Sequence, residues 1–176
     1  MGLIKKYWKI ASLLSVTMVM LVACTISYKF NGASINYDKV KTISFENFPN
    51  RSSAFVWGPM ESMFNTALQD IFMRQTRLKQ VRQNGDLELS GQIVNYDAYN
   101  KGVGSDGYST MVELRMTVSV NFVNNSNHSE DFTDKQFSAS REYQSSLQLS
   151  SVQEELVDQM IDEIVDQIFN ATVANW

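Results

Sequence analysis

Val112-Glu113-Leu114-Arg115-Met116-Thr117-Val118-Ser119-Val120-Asn121-Phe122 decides the fold. Val112, Leu114, Met116, Val118, Val120 and Phe122 share one parity, and Glu113, Arg115, Thr117, Ser119 and Asn121 share the other. Side chains of an extended chain point alternately to opposite faces. Unbroken alternation is therefore the pattern of a half-buried antiparallel strand, with one side in a core and the polar side left for water or a partner.

Downstream, Asn124-Asn125-Ser126-Asn127-His128-Ser129 reads as a turn into a strand over about Phe132 to Tyr143. The apolar parity changes between Phe132 and Phe137, which predicts a bulge. A helix then starts at Ser151, with Glu154 completing a capping box. Its stripe, Leu156, Val157, Met160, Ile161, Ile164, Val165, Ile168 and Phe169, repeats every four residues and so drifts around the axis, which suits a twisted sheet or two neighbours. Glu155, Asp158, Asp162, Glu163 and Asp166 occupy the other side and read as a solvated acidic face.

Upstream lies a Gly-rich tip, Lys101-Gly102-Val103-Gly104-Ser105-Asp106-Gly107, and before it Leu87, Leu89, Gly91 and Ile93 alternate on a strand running towards Tyr99. Asn84-Gly85-Asp86 predicts a tight hairpin turn from a short strand over Arg77 to Gln83. Gly58-Pro59 opens a helix, because proline at the first helical position has no amide hydrogen to leave unpaired. Met60, Met63, Phe64, Ala67, Leu68, Ile71 and Phe72 form its core stripe. The first strand, Lys41 to Phe48, buries Ile43, Phe45 and Phe48 and ends at the turn signal Pro49-Asn50. The order β-α-β-β-β-β-α predicts an α/β (α+β) two-layer sandwich: a mostly antiparallel or mixed sheet of four to five strands, with two helices on one face.

Catalysis finds little support in these residues. His128 is the one histidine and sits in an Asn- and Ser-rich turn, a poor place to orient a general base. With one histidine and one cysteine there is no zinc-ligand spacing, and no cofactor is implied. Gly102, Gly104 and Gly107 are flanked by strands, which makes them a flexible hairpin tip and not a phosphate loop. Two basic groups stand out: Arg74, Arg77, Lys79 and Arg82 at the end of the first helix and on the second strand, and Arg115 with Lys135, expected on the open side of the sheet. They serve solubility and helix ends, or they meet lipid A phosphates or acidic partner groups.

The first residues place the chain in a cell. Lys5, Lys6 and Lys9 precede an uncharged run from Ile10 to Ala23, at signal-peptide length and short for a membrane span. Val22-Ala23-Cys24 puts small residues before the only cysteine, as lipoprotein processing and acylation need. Removal of 1–23 would leave 153 of the 176 residues, a single-domain size, and loss of the three lysines would take the net charge from −4 to −7. So acidic a domain is a poor general binder of nucleic acid. The expected organisation is a leader over 1–23, a lipidated start and tether over 24–37, and one domain over 38–176.

Together with Cys24, the segments Tyr28-Lys29-Phe30-Asn31-Gly32-Ala33-Ser34-Ile35, Phe45-Glu46-Asn47-Phe48-Pro49-Asn50-Arg51, Asn84-Gly85-Asp86-Leu87 and Leu149-Ser150-Ser151-Val152-Gln153-Glu154-Glu155-Leu156 make the chain resemble the LptE family of lipopolysaccharide-assembly lipoproteins in its Bacteroidetes form. The resemblance implies the same α/β sandwich and a non-enzymatic plug for the outer-membrane barrel LptD, helping it to assemble and to insert lipopolysaccharide into the outer leaflet. Only Cys24 carries over residue by residue. Thr25 instead of Asp after the cysteine implies, by the sorting rule of enteric-type lipoproteins, the outer membrane; the lack of an acidic cluster over Thr25 to Ala33 implies a periplasm-facing anchor. Charge and location make Arg77, Lys79, Lys101, Arg115 and Lys135 candidate contacts to lipopolysaccharide or barrel. Tyr99 and Tyr108 flank the tip and join them, beside the polar face of Glu113, Arg115 and Thr117. The alternative is an accessory lipoprotein of another envelope complex, such as an activator of a peptidoglycan synthase.

Overall fold

The computed structural model describes residues 35–53, 57–101 and 111–173, all within one compact unit, Gly32–Trp176. The leader, Cys24, the tether before Ile35, the glycines of the tip and Tyr108 lie outside the described residues. The elements run β1 (Thr42–Phe45), α1 (Pro59–Gln75), β2 (Lys79–Val81), β3 (Leu87–Lys101), β4 (Met111–Asn124), a short 3-10 turn (His128–Glu130), β5 (Phe132–Gln144) and α2 (Leu149–Thr172). The five strands make one mixed sheet in the order β2-β1-β3-β4-β5, and the expected β-α-β-β-β-β-α order holds. Among the described residues no helix is long and apolar enough to cross a membrane.

On β4 the alternation translates directly into burial: Leu114, Met116, Val118, Val120 and Phe122 are almost fully enclosed under the helices. Pro59 stands at the start of α1 as expected, and Met60, Phe64, Leu68, Ile71 and Phe72 are buried from that helix. The drifting stripe of α2 meets α1 as well as β4 and β5. Phe72 joins the layers, its ring 5.5 Å from that of Phe45 and 5.2 Å from that of Phe169, both edge to face. Gly91 leaves room for Phe48: a Cβ there would collide with the Ser119 carbonyl and press on the Phe48 ring.

The structure corrects the sequence reading at the left side of the sheet. Asn84-Gly85-Asp86 does not close a hairpin between β2 and β3, because β1 lies between them and runs parallel to both. The positive φ of Asn84, 55°, is present, but it serves a crossover over β1. A Cβ on Gly85 would come within 2.6 Å of the Ser44 amide nitrogen, so only glycine lets the crossover lie that close. Asp86 then pins it, accepting the Lys41 and Thr42 amides at 2.8 and 2.9 Å and the Thr42 hydroxyl at 2.9 Å. These bonds, that from Lys41 foremost, hold the Asp86 carboxyl below the usual aspartate range.

Pro49-Asn50 is likewise no turn. The chain stays extended beside β3, with the Ile93 amide donating to the Pro49 carbonyl at 3.0 Å and the Arg51 amide to the Ile93 carbonyl at 2.8 Å. Glu61 of α1 fixes this strip by accepting from the Asn47 side chain at 2.7 Å and the Asn50 amide at 3.1 Å, bonds that lower its pKa. The capping box of α2 is also absent. The helix starts at Leu149, and the Ser151 hydroxyl donates to the Gln148 carbonyl at 2.7 Å instead of capping.

Candidate functional site

Two bulges decide which polar side chains share the sheet's open face. On β3 Ile93 pairs with Val118 but Asn95 with Thr117, so Val94 is an extra residue. Beyond it the parity reverses. Tyr96 turns into the core, fully buried, with its hydroxyl accepting from the Gln153 side chain at 2.8 Å, while Asn95, Asp97, Tyr99 and Lys101 turn to the face opposite the helices. The strict alternation from Leu87 gave no signal of this. On β5 the expected bulge falls where Val120 faces Lys135 and Phe122 faces Phe132, with Asp134 at a φ of 52° and its amide donating to Asn121 Oδ1 at 2.8 Å.

The open face thus brings together Tyr99, Glu113 and Glu142 in one cross-strand row, Asp97, Arg115 and Ser140 in the next, and Asn95, Thr117 and Ser138 in the third. Lys101 Nζ lies 2.6 Å from Glu142 and 3.1 Å from Glu113. Arg115 grips the other Glu113 oxygen through Nε at 3.1 Å, and its guanidinium lies over the Tyr99 ring, 5.7 Å from the centroid. Glu113 is only 6% exposed under these long side chains. Lys101 first and Arg115 second hold its carboxyl below the usual range, and Glu142 followed by Glu113 raises the Lys101 ammonium. Tyr99 is 44% exposed and, with Leu147, is one of the large exposed apolar side chains among the described residues.

Lys101 and Arg115 are therefore engaged with carboxylates instead of being held out to an anion. The result is a polar face on which Lys101 and Arg115 are paired with Glu113 and Glu142, Asp97 accepts the Ala98 amide, and Tyr99 stands exposed, a surface for docking more than for chemistry.

Lys135 is not on this face, contrary to expectation. The bulge precedes it, so it shares the parity of Val120 and sits at the β5 edge on the helix side, its ammonium 4.9 Å from the Phe132 ring centroid and 5.5 Å from that of Phe137. Arg77 and Lys79 are exposed at the opposite edge, far along the sheet order from Lys101. Arg77 stacks over the Tyr37 ring at 5.8 Å.

His128 is exposed in its turn, Nδ1 2.8 Å from Asp131. Such a surface pair is worth less than about 1 kcal/mol, so His128→Ala is expected to leave the melting temperature and envelope integrity unchanged, checked by calorimetry and antibiotic sensitivity. Among the described residues no group of three or more His, Cys, Asp or Glu is arranged to hold a metal. A cavity of about 300 Å³ lies between Ile35, Val40, Leu87 and Val173, and its carboxylate, Glu130, already accepts from the side-chain Nδ2 groups of Asn124 and Asn127.

A family model described as LptE, lipopolysaccharide-assembly, matches residues 40–172. No curated protein sequence matches the chain. Among solved structures, the rare lipoprotein B from Shewanella oneidensis is similar with a TM-score of 0.56 at 13% identity, over 74% of this chain and 92% of that one. A hypothetical protein from Chlamydia trachomatis gives 0.54 at 8% identity, over 77% and 99%. An uncharacterised lipoprotein B from Nitrosomonas europaea gives 0.50 at 16% identity, over 74% and 80%. At these identities the likeness concerns the fold.

Proposed function

The chain belongs to the LptE family of lipopolysaccharide-assembly proteins, and from that premise we propose that it is an outer-membrane lipoprotein, facing the periplasm, that partners an LptD-type β-barrel as plug and assembly factor. Cys24 is acylated and residues 1–23 are removed, 24–37 tether the domain, and 38–176 do the work. The family match from just before β1 to the end of α2 is the observation that carries this reading.

The open face supports it physically. The lumen of a large barrel is polar, and a polar face whose two cations, Lys101 and Arg115, are already paired with carboxylates suits such a space. Tyr99 offers contact area with a polar end at low entropy cost. The Arg115 guanidinium lies over its ring, and Lys101 ties Glu113 and Glu142 together beside it. The face carries no catalytic assignment.

Depletion of the protein is expected to lower the amount of assembled barrel and to sensitise cells to bulky antibiotics. Replacing Tyr99, Lys101 and Tyr108 by alanine together is expected to reduce barrel co-purified with the protein by roughly tenfold or more. The melting temperature should change little, because Lys101 is itself exposed and Glu113 keeps its bond to Arg115. Undiminished co-purification would rule this face out as the contact.

A further inference from the structure

Six of the eleven lysines and arginines among the described residues gather at one corner: Lys39 and Lys41 on the chain entering β1, Arg74 in the last turn of α1, and Arg77, Lys79 and Arg82 on and beside edge strand β2. The Lys79 amide donates to the Lys41 carbonyl at 2.9 Å, which binds the two segments together. All six are exposed. None is in an ion pair among the described residues, whereas Lys101, Arg115 and Arg141 all are. The segments 36–42 and 70–86 carry three acids, Asp38, Asp70 and Asp86, and Asp86 is taken up by the Lys41 and Thr42 amides and the Thr42 hydroxyl. On a chain of net charge −4, cations concentrated and left unpaired in one place call for an external anion.

We propose that this corner is the face the domain lays against the anionic phospholipid headgroups of the leaflet holding its anchor. The proposal rests on acylation of Cys24 but not on the barrel partnership. Lys39 follows Cys24 by 15 residues, a length of chain that reaches at most about 50 Å. Such a tether keeps the corner at high effective concentration beside the membrane. Each Lys or Arg brought next to an anionic surface strengthens the association roughly fivefold. The domain then stands on its β2 edge, and β5 lies at the other edge of the sheet.

The test uses the acylated protein purified from membranes and reconstituted on vesicles of phosphatidylcholine alone or mixed equally with phosphatidylglycerol. Lysine reactivity towards an amine-acylating reagent is read by mass spectrometry. Lys39, Lys41 and Lys79 should react about threefold or more slowly on the anionic vesicles, Lys135 should not change, and high salt should abolish the difference. Arg74→Gln, Arg77→Gln and Arg82→Gln combined should remove the protection of the three lysines at an unchanged melting temperature. Equal rates on both vesicles overturn the proposal. Equal protection by inorganic phosphate on phosphatidylcholine vesicles overturns it in favour of a free-phosphate site. A chain that does not float with phosphatidylcholine vesicles lacks the anchor, which overturns the acylation reading and this inference with it.

Discussion

Leu114→Ala is expected to cost about 2–5 kcal/mol of folding stability, a fall in melting temperature of roughly 10 °C for a domain of this size. Leu114 is fully buried on the central antiparallel strand β4, between Ala98 of β3 and Arg141 of β5. Its neighbours along the same face, Met116 and Val118, are equally enclosed, so the space left by the missing Cγ and two Cδ atoms has no water to fill it and little freedom to collapse. Chemical denaturation of the purified domain measures the cost. A loss below about 1 kcal/mol, the range of surface substitutions, would mean that Leu114 faces solvent and that the register of β4 is inverted.

Asp86→Asn should remove about 2 kcal/mol at neutral pH, because hydrogen bonds to a charged acceptor are among the stronger ones. The Asp86 carboxylate holds the Lys41 and Thr42 amides and the Thr42 hydroxyl, and so ties the β2–β3 crossover to the start of β1. The sign of the pH dependence follows from the lowered folded-state pKa, whose first cause is the bond from the Lys41 amide. Ionised Asp86 stabilises the fold above its unfolded value, near pH 3.9, and that contribution is lost as the pH falls through the lower folded value. The gap between wild type and Asp86→Asn should thus be constant near neutrality and close in acid below about pH 4. A gap that persists unchanged in strong acid would show that the carboxylate charge is not what holds the crossover.

Elements whose periodicity is local were legible in the sequence. The alternation of β4, the stripe of α1 behind Pro59 and the bulge between Phe132 and Phe137 all appear where the residues place them. What could not be read depends on partners distant along the chain. Asn84-Gly85 has the chemistry of a hairpin turn, yet β1 is inserted between the strands it would join, and nothing local distinguishes a crossover from a hairpin. The candidate face suffered from the same blindness one residue at a time. Val94 looks like any strand residue, but its insertion sends Tyr96 inward and brings Tyr99 and Lys101 beside Glu113 and Arg115. Likewise the bulge on β5 was foreseen but not its placement before Lys135, which carries that lysine to the other side of the sheet. Tyr99, Lys101 and Arg115 were identified from charge and position; that their charges are mutually compensated through Glu113 and Glu142 becomes visible only once the register is known.

Site-specific photo-crosslinking in living cells tests the proposed role most directly. A photoreactive residue at Tyr99, Lys101 or Arg115 should give crosslinks to a very large outer-membrane β-barrel of the LptD kind, while the same residue at Asp158 on the exposed side of α2 serves as comparison. Reproducible crosslinks from Tyr99, Lys101 and Arg115 only to a peptidoglycan synthase or another soluble periplasmic protein, with none to a barrel, would contradict the proposed partnership.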